Sequence, residues 1–521
     1  MNIDFTSIIT TLFNFKPELL LACGCLLAVL ADSFLSNKKI VGVIALITFI
    51  LTAYFVFDQK SLTNNSFLGE WLFKQTWQKD GAGIIVVDNF TIYFKVLISI
   101  CAAIVTLFSF LSKELDQDGA PRLGEYYTLL ISMTFGMFLL VGANDLLLMY
   151  VAIEVLSLSS YAIVGFTKKV PRSTEAAMKY VIYGGVASGV MLFGISLIYG
   201  MVGSLNYSEI NMMLSTVKGG AMISTLGLSS IMILTGLGYK ISAAPFHAWT
   251  PDVYEGSPIT VTAFLSVASK AAGFAALIRF IVTAYPTAIE VFNWKPIIAG
   301  IAVLTMTLGN LAALQQSNLK RLLAYSSIAH AGYMLMGLAI GTPAGISAIM
   351  FYLAIYLVMN LGAFFGIQKI AEQIGSEEIE DFKGLGPKVP IIGGFIVALM
   401  ISLVGLPPTS GFVAKFFLFS SVIQAGSSWL WLAVVGVINS VISLYYYVRV
   451  IKVMYLEKNE DTTPISFNNS TLGVLGVFAV ASVLLGLPNF FGPLVGTAGN
   501  SLGMLTRLLQ EVSISIGGVI K

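Results

Sequence analysis

Six ionisable side chains stand inside strongly apolar sequence, where a charge costs at least ~2.5–3.5 kcal/mol and therefore needs a reason. They are Glu154 in LLLMYVAIEVLSLSSYAIVGF, Lys179 in EAAMKYVIYGG, Lys240 in LGYKISAAPFHAWTPDVYEGSP, Lys270 in FLSVASKAAGFAAL, His330 in LLAYSSIAHAGYMLMGL and Lys415 in ISLVGLPPTSGFVAKFFLF. The chemistry these types suit is proton transfer. Burial brings an amine, ordinarily near 10.4, into the range where it exchanges protons, and a nearby carboxylate acts oppositely. Imidazole has a near-neutral unperturbed pKa and suits a relay. Glu154 moving toward or away from Lys240 would switch the amine between holding and releasing its proton. Water bridging Lys240, Lys270, His330 and Lys415 would complete a path along a membrane plane. The competing reading for Glu154 is a helix-to-helix hydrogen bond, and for His330 a satisfied core histidine. For Lys179, Lys95 and Arg279, all near span ends, it is snorkelling to the interface or lipid anchoring. His247, beside Trp249, suits a structural hydrogen bond as well as a relay.

The elements that must position these groups follow from composition. Of 521 residues, 57% are apolar and 11% charged, against roughly 45–50% and ~25% in soluble domains. A soluble fold of this size cannot cover its surface with so few polar residues. The chain reads as an all-α polytopic membrane protein. At about 20 apolar residues per span, fourteen spans are expected. They lie near 17–35, 40–58, 84–111, 127–142, 145–166, 174–203, 223–248, 258–283, 296–314, 321–341, 345–370, 390–424, 429–455 and 471–489. With Asp4 and only Lys16 ahead of it, the first run lacks the basic flank of a signal peptide and should stay as a span.

Two spans are expected to be broken. The seventh has Lys240 five residues before Pro245, and the twelfth has Lys415 after Pro407, Pro408 and Gly411. Proline removes a donor and clashes one turn back. Unwound backbone at membrane depth survives only where protein or a wet cavity satisfies it. The broken spans are five apart, so spans four to eight and nine to thirteen fit two repeats of opposite orientation, a transporter architecture. The expected divisions are 1–123, a three-helix segment; 124–283, the first repeat; 284–456, the second; and 457–521, the last span and tail.

With the N-terminus outside, fifteen of the 29 basic residues flank spans on the cytoplasmic side, eight on the other, and six fall within spans. That asymmetry favours both ends outside. The balance of 29 basic and 27 acidic residues leaves no stripe for nucleic acid. Cys23, Cys25 and Cys101 sit in apolar runs and read as reduced packing residues. With two histidines there is no case for haem or a Cys/His metal site. No GxGxxG or GxxxxGK[ST] pattern occurs.

PRSTEAAMKY, PFHAWTPDVYEGSP, NLKRLLAYSSIAHAGY and GLPPTSGFVAKF closely resemble the N-subunit (subunit 2) family of complex I, and the resemblance extends over nearly the whole chain. It implies fourteen spans in two inverted five-helix repeats and a horizontal row of charges that carries protons. It further implies Glu154 with Lys240 as coupling pair, Lys270 as central carrier, Lys415 as terminal carrier, and Lys179 and His330 at ancillary relay positions. No cofactor or metal is implied on this chain. NADH or ferredoxin, FMN, iron–sulfur clusters and quinone would belong to other subunits. The implied partners are M-type, K-type and other antiporter-like membrane subunits, together with lipid, in a bacterial cytoplasmic or thylakoid-type membrane. The M type differs in usually having glutamate where Lys415 stands, and the L type in its long C-terminal lateral helix. A stand-alone cation/proton antiporter of related fold and a structural membrane scaffold are the alternatives. Against Na⁺ as cargo, amines offer no acceptor and repel cations.

Overall fold

A computed structural model describes residues 15–62, 83–116, 122–214, 220–285, 293–457, 465 and 467–487. Asp4 and the tail after 487 lie outside them. Among the described residues the regular elements are helical, and twelve helices are long and apolar enough to cross a membrane. Three shorter apolar helices, Pro390–Val404, Ser410–Gln424 and Asn469–Leu484, complete the set. The first two are the halves of the broken twelfth span and the third is the last span, so the expected count of fourteen holds.

The chain forms two compact units: Met1–Val170, Tyr180–Leu237 and Ala268–Ala288 in one, and Pro171–Lys179, Gly238–Val267 and Ile289–Lys521 in the other. In the first unit the span Lys16–Phe34 packs on Lys39–Leu62 and on Leu123–Gly142, and Leu123–Gly142 packs on Leu146–Val164. Two buried ion pairs tie this unit together. Lys95 of the third span (Asn89–Phe110) bonds Glu18 of the first. Arg279 donates two bonds to Asp88, at 3.0 and 2.9 Å, and a third to the Thr91 hydroxyl at 2.8 Å. Both findings correct the snorkelling expected of Lys95 and Arg279. Each cation is buried and turned inward to a carboxylate that the sequence places far away. Asp88 also caps its helix, accepting from the Thr91 amide at 2.7 Å. Burial alone would raise the Asp88 carboxyl; the Arg279 charge and the hydrogen bonds outweigh it and hold the group below its ordinary value.

In the second unit the ninth span (Trp294–Ala313) lies against the tenth (Leu319–Ala339) with backbones nearly touching. A Cβ on Gly309 would stand 2.7 Å from the Ala329 amide nitrogen, and one on Gly332 would stand 2.5 Å from that of Met306. Small residues at such a crossing are how apolar helices associate without a hydrophobic drive. The tenth and eleventh spans are buried over 94% and 89% of their most apolar stretches. A helix covered all round needs no amphipathic face, which is why length and not periodicity marks these two.

Candidate proton relay

Each expected site residue has a defined place. In the first unit, Glu154 stands one residue before the midpoint of Leu146–Val164, and its Oε1 is buried without a hydrogen-bond partner among the described residues. Lys270 follows a π-helical turn, Leu265–Ser269, and opens the helix Lys270–Arg279; it is fully buried. Such turns concentrate at functional sites because they break the helical ladder locally. No proline marks this one, and the sequence reading missed it.

In the second unit, Lys240 ends the helix Gly220–Lys240, at the pole where the helix dipole favours a cation, and it is buried. The break expected at Pro245 is present, with residues 241–248 non-helical before Trp249–Gly256 begins. Protein groups satisfy the freed backbone. The Ala244 amide donates to the Thr305 hydroxyl at 2.9 Å, and the Trp249 indole donates to the Tyr239 carbonyl at 3.0 Å.

His330 is buried among tyrosines. Its Nδ1 lies 2.7 Å from the Tyr352 hydroxyl and its Nε2 3.4 Å from that of Tyr447, with the Tyr356 ring centroid 5.1 Å away. Lys415, in the half-helix Ser410–Gln424, donates to the Val404 carbonyl at 2.6 Å and to the Ser440 hydroxyl at 2.9 Å. Its ammonium also stands 4.9 Å over the Tyr333 ring. Val404 ends the preceding half-helix, Pro390–Val404, so Lys415 fills the place of a hydrogen-bond donor that the break at Gly405 removes. Gly405 has φ +86, a left-handed conformation that glycine adopts freely.

Lys179 is neither buried nor simply snorkelled. Its side chain is 38% exposed and bonds Glu175 and Asp252, each at 2.7 Å. Arg321 reaches the same Asp252 at 2.7 Å and Glu255 at 2.9 Å, and Arg172 approaches Glu255 at 3.3 Å. Three cations and three carboxylates thus join the sixth span, the helix Trp249–Gly256 and the start of the tenth span. Burial alone would raise the Asp252 carboxyl, but the bonds from Lys179 and Arg321 hold it below its ordinary range. The sequence reading did not single out this cluster, although Asp252, Glu255 and Arg321 lie within the resembling motifs. Charges near helix ends ordinarily face solvent. Among the described residues no group of three His, Cys, Asp or Glu side chains could hold a metal ion. The three cysteines are unpaired; Cys101 is buried, Cys25 half-buried and Cys23 exposed.

The model of the NADH:quinone oxidoreductase/Mrp antiporter transmembrane family matches residues 143–443, more than half of the chain. The chain belongs to that family. It is 42% identical to NADH-quinone oxidoreductase subunit N 2 of Chloroherpeton thalassium, over 95% of this chain and 96% of the relative. It is 43% identical to NAD(P)H-quinone oxidoreductase subunit 2 of Synechococcus sp., over 73% of this chain and 70% of the relative. A chain of respiratory complex I from Thermus thermophilus with bound aureothin superposes with a TM-score of 0.72, at 31% identity, over 91% of this chain and 98% of that one. A chain of the Mrp complex from Dietzia shares the fold, with a TM-score of 0.81 at 19% identity, over 98% of this chain and 100% of that one. The resemblance to N subunits read from four motifs therefore extends over 95% of the chain. The matched region contains eight full spans, the fifth to the twelfth, and both helix breaks, together with all six candidate relay residues.

Proposed function

We propose that the chain is the N-type, proton-translocating subunit of the membrane arm of an NADH- or ferredoxin:quinone oxidoreductase. The observation that carries this reading is near-full-length identity to N subunits combined with buried lysines set at two helix breaks. In this reading Glu154 and Lys240 form the switchable pair, Lys270 is the central carrier and Lys415 the terminal one. Lys179 and His330 are ancillary positions. Spans four to eight and nine to thirteen act as the two inverted repeats, within 124–283 and 284–456. Flavin, iron–sulfur clusters and the quinone site lie on other subunits, and M-type and K-type membrane subunits are the neighbours. The membrane is a bacterial cytoplasmic or thylakoid-type one. Both ends of the chain face outside.

The test is redox-driven proton uptake by inverted vesicles. Glu154→Gln is expected to reduce uptake because the switchable counter-charge is gone, and Lys240→Met to reduce it at least as much. Wild-type uptake by both assembled variants would exclude the pair. The shared fold with the Mrp chain favours a second reading, a stand-alone cation/proton antiporter. Exchange activity by the chain purified alone and reconstituted would support it; silence without redox partners supports the subunit.

A further inference from the structure

Between His330 and Lys415 the thirteenth span, Leu430–Leu456, carries a polar stripe. Asn439, Ser440, Ser443, Tyr446 and Tyr447 recur at the spacing i, i+1, i+4, i+7, i+8, which puts them on one helical face in an otherwise apolar helix. The two ends of this stripe touch the two relay residues. The Tyr447 hydroxyl lies 3.4 Å from His330 Nε2, and the Ser440 hydroxyl accepts from the Lys415 ammonium at 2.9 Å. Seven residues separate them, a rise of about 10 Å.

The interval is filled with hydroxyls held by the ninth and tenth spans. Tyr447 hydrogen-bonds Ser326, and the Tyr446 ring centroid lies 4.5 Å from that of Tyr447. Tyr446 donates to Asn310 Oδ1 at 3.1 Å, while Asn310 Nδ2 donates to the Tyr333 hydroxyl at 3.1 Å. Tyr333 must therefore turn its own proton elsewhere, and its neighbour Ser443 has a hydroxyl that donates to the Ser440 carbonyl at 2.6 Å at rest. Ser443 and Asn439 are buried. A buried polar row of this kind is costly in lipid unless satisfied, and here a single asparagine fixes the direction of two phenols. Packing alone would be served by aliphatic residues.

Resting on the reading above, we propose that this face of the thirteenth span is the conductor that passes protons between His330 and Lys415, with Asn310 as its positioning residue. A proton leaving His330 Nε2 binds the Tyr447 oxygen as that hydroxyl gives up the proton it held. The same exchange repeats at Ser443 and Ser440 until the proton reaches Lys415, which takes it as the neutral amine left when its previous proton has gone. One water between Tyr447 and Ser443, a helical turn apart, closes the remaining step. Each hydroxyl keeps one hydrogen but ends with its O–H turned toward Lys415, so the row must rotate back before the next transfer; no electron moves.

The experiment measures redox-driven proton uptake and its solvent deuterium isotope effect in inverted vesicles, with assembly checked on native gels. Ser443→Ala and Tyr447→Phe delete one hydroxyl each and keep the shape. Both are expected to lower uptake several-fold and enlarge the isotope effect. Ser443→Thr, which restores a hydroxyl, is expected to recover most of the rate together with the wild-type isotope effect; a merely structural serine would leave the isotope effect unmoved in both variants. Lys415→Arg runs in parallel as the probe of the relay itself. Wild-type uptake and isotope effect in Ser443→Ala and Tyr447→Phe, with Lys415→Arg impaired, would overturn the conductor and leave the relay standing. Full uptake in Lys415→Arg would overturn the relay and the conductor with it. Should Tyr447→Phe fail to assemble, the Ser443→Ala and Ser443→Thr pair decides alone.

Discussion

The ammonium of Lys415 caps the carbonyl of Val404, the last residue of the half-helix on the far side of the break, at 2.6 Å. Between them sits Gly405, where a Cβ would come 2.8 Å from Lys415 Cδ. The same glycine adopts φ +86. Gly405→Ala is therefore strained twice, once in the backbone by about 1 kcal/mol or more and again by contact with the lysine stem. The expected outcome is an assembled complex with proton uptake reduced several-fold, because Lys415 is pushed off its acceptor. Wild-type uptake in an assembled Gly405→Ala complex would mean that the cap does not set the position of Lys415.

The Asp88–Arg279 pair bears on stability rather than pumping. Both groups are largely buried and doubly bonded, so removing one partner strands the other, at a cost of about 3–5 kcal/mol. Arg279→Leu should lower the amount of assembled subunit sharply. The double variant Asp88→Asn with Arg279→Leu should recover part of it, since no isolated charge remains. Quantitative immunoblots of membranes give the comparison, and equal loss in single and double variants would contradict it.

The Asp252 cluster is partly exposed, and a weaker effect is expected there. Solvent screens each pair, so Asp252→Asn should cost only about 1 kcal/mol. Its consequence is for Lys179 and Arg321, which both lose their shared counter-charge. A fall of a few degrees in the thermal midpoint of the purified complex is expected, smaller at high salt. A midpoint unchanged at low salt would show that the cluster is energetically idle.

Orientation can be tested by labelling. A cysteine introduced at Ser427 should react with an impermeant maleimide added from outside, and one at Ser376 should not. The reverse pattern would invert the topology and the direction of proton flow.

Much of this molecule was legible in its sequence, and the exceptions share a cause. Fourteen spans and both breaks follow from apolar run length and proline, which act locally. The buried lysines follow because a charge in an apolar run stands out. The partners of Lys95 and Arg279 were hidden, since Glu18 and Asp88 are 77 and 191 residues distant along the chain. The π-helical turn before Lys270 carries no proline to mark it. The stripe on the thirteenth span was visible as spacing, yet serine and tyrosine in a span are too common to flag until their partners are known.

The near-contact of backbones at Gly309 and Gly332 has a mechanical meaning for His330, which sits two residues before the second of these glycines. Two helices that meet main chain to main chain can neither roll nor slide without collision, so the imidazole is mounted on a stiff post. Compliance in this unit belongs to residues 241–248 and to the turn at Gly405, where the helical ladder is already open. A displacement transmitted to this unit would therefore be taken up more readily at those two joints, beside Lys240 and Lys415, than at the histidine.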